Sequence, residues 1–287
     1  MRPLTVTDVR VVPGDSGFLI DDGATAILYD TGFGFTGRGM AKKLKGLLAD
    51  RSLDYIFLTH SHYDHALGAA AVAREFPGVR IVAGSYAKTI FDKPSARAVM
   101  RELDQKAALP YDMAGQPDLC SLLRVDIPVE DGDRIVCGTM EFTAVALPGH
   151  TRCSMGFYLA ENRLLLSCET LGVYFGNGVC LPSYLVSYEM TMASFQRAME
   201  LEAEQILLPH YGLIQGKEAR RYLPFARETA VEVAQMIRAI LKDGKSHQEA
   251  MAVFKEKYYL PNVAPTYPID AFTLNTGIMI RMLEQEQ

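Results

Sequence analysis

The chain has 287 residues, 49% hydrophobic and 22% charged, with a net charge of −5. That length holds one large domain or two modest ones of ordinary soluble composition. The acidic balance argues against a general nucleic-acid binder. No apolar run reaches the roughly 18–20 residues of a membrane helix, and the opening MRPLTVTDVR has an early strand pattern and no signal-peptide layout. The expected setting is therefore the cytoplasm, with no membrane partner. The five cysteines, Cys120, Cys137, Cys153, Cys168 and Cys180, contain no CxxC pair and read as free thiols.

In chain order, Phe18 to Asp30 reads as two strands joined at Asp22-Gly23, a hairpin signal. Gly37 to Asp50 has a helical pattern with Lys42, Lys43 and Lys45 on its wet face. Asp54 to Thr59 is a buried-strand candidate, Ala66 to Phe76 a helix, and Val79 to Ala83 a strand. Residues 91–118 break this alternation. Val99, Leu103 and Ala107 recur at four-residue steps, as in an amphipathic helix inserted between strands. Strand patterns resume at Arg134 and run through Met140–Leu147, Met155–Ala160 and Arg163–Ser167. A helix near Thr191–Ala203 leads to a strand at Gln205–Leu208.

Beyond about Gly216 the pattern is helical. Ala230, Val233, Met236, Ile237, Ile240 and Leu241 form a stripe that ends at Asp243-Gly244. Ser246 and Glu249 make a capping-box pattern. A last helix from about Asp270 carries Leu274, Ile278 and Met282 on one face. The expected division is 1–215 for the main domain, with its insert near 91–118, and 216–287 for a helical extension.

Six histidines occur in the chain, and three of them fall in HSHYDH as His60, His62 and His65, with Asp64 among them. Crowding buried imidazoles and a carboxylate is costly unless a positive charge sits between them. His150 in LPGHT and His210 in LLLPHYG likewise follow apolar strands, so three strand ends deliver histidines to loops. His60 and His62, two apart, can point the same way in extended backbone. Asp64 has a simpler reading as a helix N-cap. His247 opens a capped helix and reads as a surface residue.

HSHYDH matches the HxHxDH signature of the metallo-β-lactamase-fold hydrolases. YDTG at Tyr29–Gly32, PGHT at Pro148–Thr151, SCET at Ser167–Thr170 and PHYG at Pro209–Gly212 resemble four further motifs of that family, in its order. The resemblance implies a four-layer αββα sandwich, here with a C-terminal helical extension. It implies two divalent metal ions, zinc first, with iron or manganese also suited to these donors. His60, His62 and His150 would hold one ion, and Asp64, His65 and His210 the other. Glu169 would lie between them and Asp30 would orient a ligand. Two divalent ions about 3.5–4 Å apart repel by roughly 19 kcal/mol at an effective dielectric near 20. Asp64, Glu169, a bridging hydroxide and Asp30 bring the local charge to zero.

Glu169 departs from the family, whose bridging residue is usually aspartate. Cys168, at the family's glycine, is a further candidate donor. The resemblance implies hydrolysis of a small ester or thioester by a metal-bound hydroxide, with Asp64 and Glu169 as catalytic carboxylates. A phosphodiesterase, a metal-binding sensor with weak hydrolysis and an iron redox protein are the alternatives. Leu171–Tyr188 is rich in Tyr, Phe and Gly and suits either a pocket wall or core. Tyr174, Tyr184 and Tyr211 are the substrate-contact candidates, for a small molecule. GFGFTGRG at 32–39 reads as a flexible loop at the site's edge. The insert and the C-terminal helices are candidates for capping the site or for a homodimer contact.

Overall fold

The computed structural model describes residues 3–286; Met1 and Arg2 of the opening stretch lie outside the described residues. The chain divides into two compact units. One holds the residues up to Ala146 together with Met155–Ala160. The other holds Leu147–Ser154 and the chain from Glu161 onward.

The first unit is built on a six-stranded sheet in sequential order: β1 (Thr5–Asp8), β2 (Phe18–Asp21), β3 (Ala26–Tyr29), β4 (Tyr55–Leu58), β5 (Arg80–Gly84) and β6 (Ile127–Val129). β1 to β3 pair antiparallel and β3 to β6 parallel. Every residue of β3 and β4 is buried, as a parallel sheet covered on both faces requires. The β2–β3 hairpin turns where expected. Asp22 Oδ1 accepts from the amides of Ala24 and Thr25, and Gly23 takes a positive φ of 85°. β6 carries no clear strand signal; it is three residues long, contains Pro128 and lies at the sheet edge, where proline is tolerated.

Helix α1 (Gly37–Leu48) buries Met40, Ala41, Leu44 and Leu48 and leaves Lys42, Lys43 and Lys45 exposed. The helix expected over Ala66–Phe76 is two pieces, α2 (Tyr63–Ala66) and α3 (Ala69–Glu75). It starts early because the carbonyl of His62 already accepts from His65 N and Ala66 N, so Asp64 and His65 sit inside a helical turn. Gly68 separates the pieces. A Cβ there would land well inside van der Waals contact with the Thr31 carbonyl oxygen.

The insert is α4 (Ser85–Phe91) and α5 (Pro94–Ala108). The buried side of α5 is Met100 and Ala108; of the expected stripe, Leu103 and Ala107 are half-buried at its margin and Val99 is 56% exposed. A polar contact sets the rotation. Asp104, on the same face as Met100 and Ala108, accepts from Gly34 N at 2.7 Å, while Ala108 packs on Phe33 and Phe35. The 32–39 segment is therefore pinned rather than flexible. Phe33 N donates to Asp15 Oδ1 at 3.1 Å, Thr36 Oγ1 donates to the same oxygen, and Phe33 stacks on Phe35. The unit closes with an antiparallel ladder of β7 (Arg134–Cys137), β8 (Met140–Ala146) and β9 (Met155–Leu159).

The second unit contains β10 (Leu164–Leu166), β11 (Val173–Tyr174), β12 (Cys180–Leu181), α6 (Tyr188–Glu200), β13 (Gln205–Leu208), β14 (Gly212–Gln215), α7 (Lys217–Lys242), α8 (His247–Tyr258) and α9 (Ile269–Gln285). β10 and β13 are parallel, and β13 and β14 antiparallel. β14 has no sequence signal because its turn uses a left-handed His210, φ 62°, rather than a recognised turn pair. The Ser246–Glu249 capping box is present. α7 packs on β12 and β14, so the C-terminal helices and these strands form one body. In α9 the buried side is Phe272, Thr276, Met279, Ile280 and Leu283, with Met282 at its margin, while Leu274 is 51% exposed. The expected Leu274–Ile278–Met282 face is displaced because α9 packs on both α7 and α8, with Phe272 stacked on Phe254. Among the described residues, no helix is long and apolar enough to cross a membrane.

Two outcomes follow from this packing. Gly68→Ala should cost about 2–3 kcal/mol, since backbone has to give way; urea midpoints test it, and an unchanged midpoint would refute the contact. Asp104 is raised from 3.8 to about 6, first by burial and then by Asp118 and Asp15 nearby. The folded chain thus keeps a proton that the unfolded chain releases, and stability should fall by up to about 3 kcal/mol as pH rises from about 4 to about 6. Asp104→Asn should flatten that slope in denaturation curves taken across the window.

Candidate metal centre

Within the first unit, the parallel pairing of β3 and β4 sets their carboxyl ends side by side. Asp30 follows β3 and Thr59-His60 follow β4. Asp30 is held in a left-handed conformation, φ 52°, uncommon outside glycine and tolerated by aspartate. Its fully buried carboxylate accepts from Thr59 N at 2.9 Å, from Ser16 Oγ at 3.2 Å and from Thr59 Oγ1 at 3.1 Å. The fourth neighbour is His65 Nδ1, at 2.7 Å. An ionised carboxylate only accepts, so His65 carries its proton on Nδ1.

Thr59 settles His60 in the same way. Its hydroxyl has one proton, which goes to Asp30, so its lone pair receives the Nδ1–H of His60 at 3.0 Å. In the neutral form, Nε2 is then the lone-pair nitrogen of both His60 and His65. The three rings are close, with the His60 centroid 4.6 Å from that of His62 and 4.1 Å from that of His65. His60 and His62 each offer a ligand atom within 4.8 Å of the other, as do Asp64 and His65. Asp64 does not cap the helix: the N-cap is His62, without a side-chain cap bond.

In the second unit, His150 follows Pro148-Gly149, Glu169 opens a 3₁₀ turn after β10, and His210 occupies the β13–β14 turn. His150 N donates to Thr170 Oγ1 at 3.2 Å. His150 Nδ1 lies 2.9 Å from the Ser183 carbonyl oxygen, an atom that only accepts, so the proton is again on Nδ1. His150 Nε2 then faces Glu169 Oε2 at 2.7 Å, and His210 Nε2 lies 3.3 Å from Glu169 Oε1. With its proton on Nδ1, a neutral His150 sets its Nε2 lone pair against the Glu169 oxygen, an opposition that a bound cation or protonation of the ring relieves. That donor set fits a divalent cation: neutral imidazoles turned by fixed acceptors, with carboxylates beside them. Glu169 sends one carboxylate oxygen toward each histidine.

The remaining candidates separate clearly. His247 is a surface residue whose Nε2 lies 3.0 Å from Glu284. Cys168 is buried, with Sγ 3.9 Å from the Leu147 carbonyl oxygen. None of the five cysteines forms a disulfide. Tyr211, next to His210, packs edge-on against Tyr174 at 4.6 Å, and the Tyr174 hydroxyl donates to Glu218 at 3.2 Å. Burial raises both phenols above their usual range. Tyr184 is fully buried against Tyr188, so it is not presented to solvent as a substrate contact would be. Thr59, Ser16, Thr170 and Ser183 are the site residues that sequence reasoning missed. Of these, Thr59, beside HSHYDH, and Thr170, beside Glu169 in SCET, had a positional signal.

Comparison with known proteins agrees with this geometry. A family model described as the metallo-beta-lactamase superfamily matches residues 10–210. A metallo-beta-lactamase fold-containing protein of Sulfurisphaera tokodaii is 26% identical over 174 residues, 60% of this chain and 65% of that protein. A hydroxyacylglutathione hydrolase of Cereibacter sphaeroides is 28% identical over 171 residues, 59% of this chain and 52% of that protein. The chain thus spans less than two thirds of the length of either relative. Among solved structures, a metallo-beta-lactamase family protein from Thermus thermophilus superposes with a TM-score of 0.63 at 20% identity, covering 99% of this chain and 93% of that one. The crystal structure of an archaeal superfamily protein from Sulfolobus tokodaii gives 0.58 at 20% identity, covering 81% and 86%. These likenesses establish the fold as the αββα sandwich expected from the sequence, with helices added at the C-terminal side.

The hydroxyl of Tyr184 is buried with no hydrogen-bond partner among the described residues, a cost of about 1–3 kcal/mol. Tyr184→Phe should therefore be as stable as the parent or more so by about 1 kcal/mol, with kcat/KM unchanged. A large fall in kcat/KM at unaltered stability would restore Tyr184 as a substrate contact.

Proposed function

Because the chain belongs to the metallo-beta-lactamase superfamily, matched over residues 10–210, we propose that it is a metal-dependent hydrolase of a small ester or thioester. His60, His62, His150 and Glu169 would hold one cation, and Asp64, His65 and His210 a second, with zinc the first candidate. The observation that carries this reading is the arrangement around Glu169. Its two carboxylate oxygens face the Nε2 atoms of His150 and His210 at 2.7 and 3.3 Å, one carboxylate between two imidazoles, as a shared cation requires. Bound there, divalent cations would supply Lewis acidity and lower the pKa of a water to about 7.

The chain's own residues supply the rest. Asp30 and the Ser183 carbonyl hold the Nδ1 protons of His65 and His150, so neither ring has to reorient when substrate arrives. Glu169 offers one oxygen to each of its two histidines and keeps their donors close. Asp64 has a 22% exposed side chain, and we assign it the relay of a proton from the attacking water to the leaving group. A thioester is favoured because a hydroxyacylglutathione hydrolase, whose named substrate is an acylated thiol, is among the relatives.

Purified protein should contain about two metal ions per chain and hydrolyse members of a panel of thioesters, lactones and phosphodiesters, thioesters fastest. His62→Ala and His150→Ala should each lower turnover about a hundredfold or more and reduce the metal content. Metal-free, inactive protein after growth in zinc-supplemented medium would end this reading. Glu169→Asp separates a tuned enzyme from a sensor with a decayed site. Its shorter arm is expected to lower turnover about tenfold or more, whereas a large gain would identify glutamate as the lesion.

A further inference from the structure

One segment of the second unit holds Pro148–Gly149–His150 from several directions. Both acceptors on His150 Nδ1 belong to Ser183: its carbonyl oxygen at 2.9 Å and its Oγ at 2.8 Å. Val186 N and Ser187 N donate to the Gly149 carbonyl at 2.9 and 3.4 Å, and Ser194 Oγ donates to the Pro148 carbonyl at 2.7 Å. Gly149 sits at φ 142°, and any Cβ there would collide with Thr191. Ser183, Thr191 and Ser194 are all buried.

That segment is itself backed by the C-terminal helices. Ser187 caps α6. Its Oγ accepts from Met190 N at 3.3 Å and donates to Glu286 Oε1, at the end of α9, at 2.8 Å. Arg238 of α7 lies over the Tyr188 ring at 4.9 Å and 3.9 Å from Glu286 Oε2. Tyr184, next to Ser183, is locked against Tyr188. The path from α7 and α9 to the imidazole of His150 is continuous and made of named contacts.

We infer that Ser183 is a positioning residue for His150, and that α7 and α9 are the backing that keeps it in place. This rests on reading His150 as a metal ligand. A single carbonyl acceptor leaves an imidazole free to rock about its bond to Cβ. A carbonyl and a hydroxyl on one residue bracket the Nδ1 proton and narrow that motion, which keeps Nε2 aimed. Removing the hydroxyl keeps the carbonyl and the fold, and releases the ring. The ordering cost then falls on metal binding, at about tenfold in affinity. Glu286 acts at a distance through a partly exposed contact, so its removal is worth about threefold or less.

The test uses the full chain, stripped of metal and titrated with Zn²⁺ alone against a chromophoric chelator. Ser183→Ala, Glu286→Ala and His150→Ala are compared with the parent. Thermal melts are taken on the metal-free proteins, and histidine Nδ1–H resonances on ¹⁵N-labelled samples. The expected result for Ser183→Ala is about tenfold weaker zinc, faster exchange of the His150 Nδ1 proton and an unchanged melt. Glu286→Ala should shift affinity the same way by a smaller factor. Parent-like zinc binding by Ser183→Ala, while His150→Ala loses zinc, would overturn the positioning role alone. Parent-like binding by His150→Ala would overturn the ligand reading with it. A melt lowered in step with affinity would make Ser183 a structural residue and also defeat the inference.

Discussion

A buried imidazole that gives its Nδ1 proton to a fixed acceptor has one nitrogen left to offer, and that nitrogen points where the backbone directs it. The candidate centre depends on this constraint. His65 gives its proton to Asp30, His60 to Thr59 and His150 to Ser183. Each acceptor is itself fixed: Asp30 by the amide and hydroxyl of Thr59 and by Ser16, Thr59 by Asp30, and Ser183 by the segment that leads into α6. The tautomers are therefore decided by the scaffold before any ligand is present. A lone pair that needs no reorganisation binds a cation without a prior ordering cost.

The scaffold's contribution is to place chain ends. In the first unit, two neighbouring parallel strands deliver Asp30 and the HSHYDH loop to one edge. In the second unit, β10 and the β13–β14 turn bring Glu169 and His210 together. Two of these residues, Asp30 and His210, sit at positive φ, a conformation held only where surrounding contacts over-determine it. Gly68 and Gly149 are the matching concessions, since neither position has room for a side chain.

Much of this is legible in the sequence because it is local. The Asp22-Gly23 hairpin, the Ser246–Glu249 cap, the strand-then-histidine layout and the HSHYDH spacing are all encoded within a few residues. What escapes depends on which way an element is turned. The packed side of α5 is shifted by one position from the expected stripe because Asp104 turns toward the amide of Gly34, and a helical wheel does not reveal a partner 70 positions away. The face expected in α9 is displaced because two helices, not one, pack on it. β6 and β14 are three and four residues long, too short for alternation to show. The hold of Ser183 on His150 comes partly from a main-chain carbonyl, an atom every residue has, so no residue type could announce it. Asp30, in contrast, is identifiable as a ligand-orienting residue because its motif can be matched.

The claim that most needs a direct answer is that the Nε2 atoms of these histidines face bound cations. Diffraction data collected on either side of the zinc absorption edge, from crystals of the zinc-loaded chain, give that answer. The account expects two anomalous peaks, one bounded by Nε2 of His60 and His150 and the other by Nε2 of His65 and His210, with Glu169 between them. Peaks at Nδ1 atoms, at the cysteines or at the surface His247, with none at these positions, would contradict it.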